Sequence, residues 1–105
     1  MSLASVSVKP DQRAALTFDV LIEDARGQSR HRVTMSPEDA AGWAGRGAEP
    51  LRCVEAAMRF LLDREPKEAI LSAFDIGVIR RYFPEFDDEF PEYLARLRGA
   101  GKNNA

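Results

Sequence analysis

The side chains best suited to chemistry are scarce here: 105 residues contain one histidine, His31, and one cysteine, Cys53. Histidine titrates near neutrality and can act as a base or a pH switch, while a thiolate is a nucleophile and a metal ligand. One of each cannot build the usual Cys and His zinc site or a multi-histidine centre within a chain. A Cys-His pair is the catalytic arrangement that they still allow. Their surroundings favour a plainer reading. Cys53 falls near the start of an amphipathic segment among apolar neighbours, which predicts a buried, structural thiol. His31 borders the apolar face of a predicted strand, where packing is the ordinary role.

Two other patterns resemble ligand sites without completing one. Asp87, Asp88, Glu89 and Glu92 form the one single-signed cluster and offer oxygen ligands for a hard cation, but they lack the glycine and alternating spacing of an EF-hand loop. Acids near the start of a helix, favoured by its dipole, account for them. Gly42, Gly45 and Gly47 show neither GxGxxG nor a GK[ST] ending after a strand, so no nucleotide cradle is expected. The expectation is therefore no catalytic set, no cofactor and no metal, with an enzyme the least favoured class.

Binding is the stronger theme. Arg30 and Arg32, with Arg26, fall on a predicted hairpin, and Arg80 and Arg81 stand beside Tyr82 and Phe83. Basic and aromatic residues together are what nucleic-acid surfaces use. These six, Arg30, Arg32, Arg80, Arg81, Tyr82 and Phe83, are the candidate binding residues. Against nucleic acid, Arg32 has a cross-strand partner in Asp19, the aromatic residues can close the core, and no RNP, KH or zinc-finger pattern is present. Fifteen Lys and Arg against seventeen Asp and Glu leave a net charge of -2, so no global field draws the chain to nucleic acid or to an anionic membrane.

These residues must be positioned by a single core, since the chain is too short for two of ordinary size. Apolar residues at 45% and charged residues at 30% are the composition of a folding domain. No apolar run approaches the roughly 20 residues that span a bilayer, and a lone cysteine forms no internal disulfide. A cytoplasmic protein is expected.

From Leu16 to Ile22 apolar residues alternate, which marks a half-buried strand, and Asp24-Ala25-Arg26-Gly27 is turn chemistry. Residues 28–35 return as its partner. Pairing Glu23 with Gln28 places Phe18 opposite Val33, Asp19 opposite Arg32 and His31 opposite Val20, whereas a slip by one residue mixes the faces. Ser36-Pro37-Glu38-Asp39 combines an N-cap, a proline at the first helical position and acids near the dipole's positive end. Pro50 opens the central helix, Leu51 to Arg64, with Glu55, Arg59 and Asp63 spaced to pair along it. Another helix is predicted from Pro66-Lys67-Glu68 with Ile70, Leu71 and Phe74 turned inward, then one capped by Asp75, then a last one from Pro91 to Leu97.

The run Phe60-Leu61-Leu62-Asp63-Arg64-Glu65-Pro66, followed by Arg81-Tyr82-Phe83-Pro84-Glu85-Phe86, resembles one found in short uncharacterised bacterial proteins. The resemblance implies a shared fold and carries no activity to these positions.

The predicted architecture is α+β: an N-terminal antiparallel β-hairpin packed against four or five short α-helices. It forms one domain over 1–105, ordered over about 14–98, with the N-terminal residues and 99–105 flexible. A bare hairpin is marginal and its edges invite pairing. The leading expectation is thus a small non-catalytic binding or protein-interaction protein that takes a protein partner or self-associates. A small nucleic-acid-associated regulator is the alternative.

Overall fold

A computed structural model describes residues 4–102. The fold is α+β, and its elements follow the chain as β1 (Ser5–Pro10), β2 (Thr17–Asp24), β3 (Gly27–Thr34), α1 (Pro37–Ala44), α2 (Pro50–Leu62), β4 (Ala73–Asp75), α3 (Ile76–Tyr82) and α4 (Phe86–Lys102). The four strands form one sheet in the order β1-β2-β3-β4.

The hairpin pairs in the expected register, with Phe18 opposite Val33, Asp19 opposite Arg32, Val20 opposite His31 and Glu23 opposite Gln28. Asp24 and Gly27 also pair, so the loop is Ala25-Arg26, two residues shorter than expected. Asp24 accepts the Arg26 N–H at 2.8 Å, and Gly27 adopts φ 129°, a backbone region open chiefly to glycine.

The hairpin does not stand alone. Ser5–Pro10, expected to be flexible, adds an antiparallel strand to β2, and its half-buried Val6 and Val8 alternate with exposed Ser5, Ser7 and Lys9. On the other side, β4 runs parallel to β3, with Val33 opposite Phe74. Parallel strands need a long crossover, and α1 and α2 form it. The open hairpin edges that suggested strand addition are thus occupied, over Phe18 to Glu23 of β2 and over Arg32 to Thr34 of β3.

Ser36 caps α1 by accepting the Asp39 N–H at 3.1 Å, and Pro37 opens it as expected. Within it Ala40 and Trp43 pack on the core while Ala41 and Ala44 stay exposed. Helix α2 is buried on more than one stripe, through Cys53, Val54, Ala56, Ala57, Met58, Phe60 and Leu61. It lies between the sheet and α4, so an apolar stripe on one side would not suffice. The predicted Glu55-Arg59-Asp63 ladder does not form. Arg59 reaches the Ala4 carbonyl at 2.6 Å, Glu55 pairs with Arg52 at 3.5 Å, and Asp63 accepts the Tyr93 hydroxyl at 2.6 Å.

The helix predicted after Pro66 is instead a 3₁₀ turn, Lys67–Ala69, followed by β4. Helix α4 starts at Phe86 rather than Pro91, because the Glu85 carbonyl already accepts the Glu89 N–H at 3.0 Å. Pro91 lies on its exposed side, where water can satisfy the carbonyl that loses its donor. The helix runs to Lys102, past Gly99 where the tail was expected to begin. The remaining tail residues, 103–105, lie outside the described residues, as do 1–3.

An aromatic knot joins α2 to α4. The Phe60 ring meets Phe83, Phe86 and Tyr93 edge-on at 5.8, 4.9 and 5.6 Å, and Phe90 meets Trp43 at 4.6 Å. Arg64 closes it from outside, 3.6 Å above the Phe60 ring, donating to Glu85 at 3.1 Å and Glu89 at 2.6 Å. Burial opposes its charge, yet hydrogen bonds to Tyr93, Glu89 and Glu85 hold Arg64 above its ordinary pKa. The Phe-Leu-Leu-Asp-Arg and Pro-Glu-Phe strings therefore contain the two halves of a structural clasp.

Candidate functional site

Neither reactive side chain is free to react. His31 is only 5% exposed, with Nδ1 2.7 Å from the Leu71 carbonyl and Nε2 2.7 Å from the Ser29 hydroxyl. A carbonyl only accepts, so Nδ1 carries the proton and the ring ties β3 to the loop before β4. Cys53 is fully buried; burial, and then the charge of Asp39, push its thiol up to about 11. At neutral pH it is a thiol and not a nucleophile. The acids at the start of α4 are largely engaged, Asp87 by Arg80 at 3.1 Å, Glu89 by Arg64 and Glu92 by Arg96 at 3.8 Å. Among the described residues no three His, Cys, Asp or Glu side chains converge as metal ligands would.

The six candidate binding residues do not form one surface. Arg30 and Arg32 lie in a depression on the open face of the sheet, beside Lys9 and Leu21, where Arg32 pairs with Asp11 at 3.1 Å and Asp19 at 3.4 Å. Arg80 and Arg81 line a separate depression with Ser36, Asp39 and Asp75. There Arg80 is held by Asp87 at 3.1 Å and Asp39 at 3.5 Å, and the hydrogen bond to Asp87 is the main cause that raises its pKa. The two depressions share no residue.

Tyr82 and Phe83 belong to a third feature, an apolar groove of about 270 Å³ between the end of α2, the segment from Ala69 to Phe74, and α3. Leu61, Ile70 and Ile79, all buried, make its deeper surface. Two large apolar side chains stand out from it, Leu71 at 54% and Tyr82 at 70% exposure. Burial of such groups is the ordinary outcome of folding, and Leu71 is expected inside, whereas Tyr82 is a candidate binding residue. Sequence reasoning therefore included Tyr82 and Phe83 but missed Leu71, Val78 and Glu65, which also line the groove. No sequence signal marked Leu71, because the segment was read as a helix with a different inward face.

Each wall is held from outside the groove. Asp75 accepts the Gly77 N–H at 2.8 Å and so caps α3, while its other oxygen accepts the Thr34 hydroxyl at 2.7 Å from the end of β3. His31 holds the Leu71 carbonyl, and Ile70 anchors the same loop in the core. Upstream, the buried Lys67 ammonium donates to Asp24 at 2.8 Å and to Glu68, pinning the 3₁₀ turn to the hairpin loop. Hydrogen bonds to Asp24 and then Glu68 raise the Lys67 pKa, and the two carboxyls are lowered in return. This lysine stays charged and serves as a peg.

Compared with protein-family models, with curated proteins and with solved structures, the chain finds no match. No helix among the described residues is long and apolar enough to cross a membrane.

Proposed function

We propose that this chain is a small non-catalytic protein-interaction module whose contact site is the groove between α2 and α3. The observation that carries this reading is the meeting of Leu71 and Tyr82, the two exposed large apolar side chains of the described residues, at one hollow. A hollow of about 270 Å³ is smaller than the roughly 300–1,000 Å³ of small-molecule pockets, and it suits one or two anchoring side chains of a protein. Glu65 is its sole charged lining residue, and a carboxylate alone supplies no nucleophile, base and stabiliser together. Rigid support from β4 and α3 suits docking, since little order has to be gained on binding. The resemblance to short bacterial proteins is read as one of fold, and the inert thiol suits the cytoplasm.

The test is affinity capture with the intact chain and with a Leu71→Ser, Tyr82→Ser double variant. The variant should lose what the parent retains, while Arg30→Glu with Arg32→Glu should not. Capture that follows the arginines and falls with salt would replace this reading by the nucleic-acid one.

A further inference from the structure

We infer that the occupant of the groove is a second copy of this chain, in a two-fold dimer that seats Tyr82 of each copy in the groove of the other and sets Glu65 of each against Arg81 of the other. This rests on the groove being a docking site and adds what docks there.

The first support is shape. Tyr82 ends α3 and stands 70% exposed, yet it also lines the hollow. Knob and hole thus belong to one patch. A two-fold axis brings a patch against itself, so each knob faces a hole, as an isologous interface requires. Tyrosine suits such a place because its ring is apolar while its hydroxyl can remain wet.

The second support is charge. Arg64 and Arg80 are both fully engaged, the first by Glu85 and Glu89, the second by Asp39 and Asp87. Their chain neighbours, Glu65 and Arg81, take part in no ion pair among the described residues. Glu65 lines the groove, and Arg81 lies just across Val78, which lines both the groove and the depression holding Arg81. The α2 side of the groove therefore carries an acid, and a base stands just beyond its α3 side. A uniformly basic segment would gain Glu65 but be repelled by Arg81, and a uniformly acidic one the reverse. A second copy satisfies both rims twice, which is the electrostatic complementarity that selects partners.

The groove is small beside the roughly 800 Å² per partner of a standard interface, so the dimer dissociates on dilution. Sedimentation equilibrium from about 1 to about 500 μM should show the mass rising from 11.7 kDa toward twice that value. Tyr82→Ser should raise the dissociation constant about tenfold or more. Glu65→Arg alone, or Arg81→Glu alone, sets like charges against each other at both contacts and should abolish association. Mixing those two single variants places opposite charges at both contacts, and the mixture should dimerise again as a heterodimer. Thermal unfolding of each variant shows that it is folded.

A chain that stays monomeric throughout overturns the dimer. So does a dimer indifferent to Tyr82→Ser, or a mixture of the two charge variants no more associated than each alone. If the monomer still retains a partner that the Leu71→Ser, Tyr82→Ser variant loses, the docking site stands and only its occupant is wrong.

Discussion

Arg64 and Glu65 are neighbours in the chain with opposite fates, and so are Arg80 and Arg81. The first of each pair is spent inside the molecule: Arg64 lies over Phe60 and bridges α2 to Glu85 and Glu89 of the α4 end, while Arg80 bridges Asp39 to Asp87. The second of each pair is in no ion pair among the described residues and flanks an apolar groove with Leu71 and Tyr82 exposed. The contrast teaches that charge type at a position says little. What separates a clasp from a binding rim is whether complementary groups from other elements arrive.

The largest effect should fall on the clasp. Phe60→Ala empties the middle of the aromatic knot and should cost about 3–5 kcal/mol in urea unfolding. Arg64→Ala should cost about 1.5–3 kcal/mol, because Glu85 and Glu89 lose their charged donor. If either falls within experimental error of the parent, the clasp is not what joins α2 to α4.

His31→Ala comes next, at about 1–3 kcal/mol, since it removes a buried ring and leaves the Leu71 carbonyl and the Ser29 hydroxyl without their partner. Hydrogen exchange should quicken from Ile70 to Asp75 beyond the change elsewhere. A uniform change would mean that His31 supports the core and not the groove wall.

Acidification tests the carboxylates that Lys67 and Arg64 hold. Asp24 is held below its usual pKa by the hydrogen bond from Lys67, Glu68 likewise, and Glu85 by a backbone N–H and then Arg64. A lowered folded pKa contributes stability that is fully present above the unfolded value, about 4 for these groups. It is lost as pH falls through the lower folded values. The melting temperature should therefore be flat above about pH 5 and drop below it, and Lys67→Met should make that drop shallower. An equally steep drop in the variant would remove Lys67 as the peg.

The smallest effect on stability should come from the groove. Leu71→Ser and Tyr82→Ser each change exposed groups and should shift unfolding by no more than about 0.5 kcal/mol, while association weakens. A large destabilisation would make these residues part of the core and erase the distinction between the two regions.

Much of the local structure was legible in the residues. The alternation of Phe18, Val20 and Ile22 set the strand faces, and the opposition of Asp19 to Arg32 chose among registers. Ser36-Pro37 and Asp75 announced helix starts that the structure places as expected. The alternation of Val6 and Val8 with Ser5, Ser7 and Lys9 was equally readable but passed for a loose terminus. By contrast, β4 is three residues long, too short for any period to show, and its hydrogen bonds go to a strand about 40 positions earlier.

The sequence by itself determined what depends on near neighbours: the α+β order, the hairpin register, the helix caps and the scarcity of catalytic parts. Backbone hydrogen bonds within a turn and side-chain alternation are short-range, so residue types suffice to read them. Only the tertiary structure decided that Ala73–Asp75 becomes a parallel strand, that Arg64 finds ion-pair partners while Glu65 finds none among the described residues, and that Leu71 and Tyr82 face water around one groove. Those outcomes depend on which distant elements pack together, and the same short apolar segment can be buried or exposed according to what reaches it.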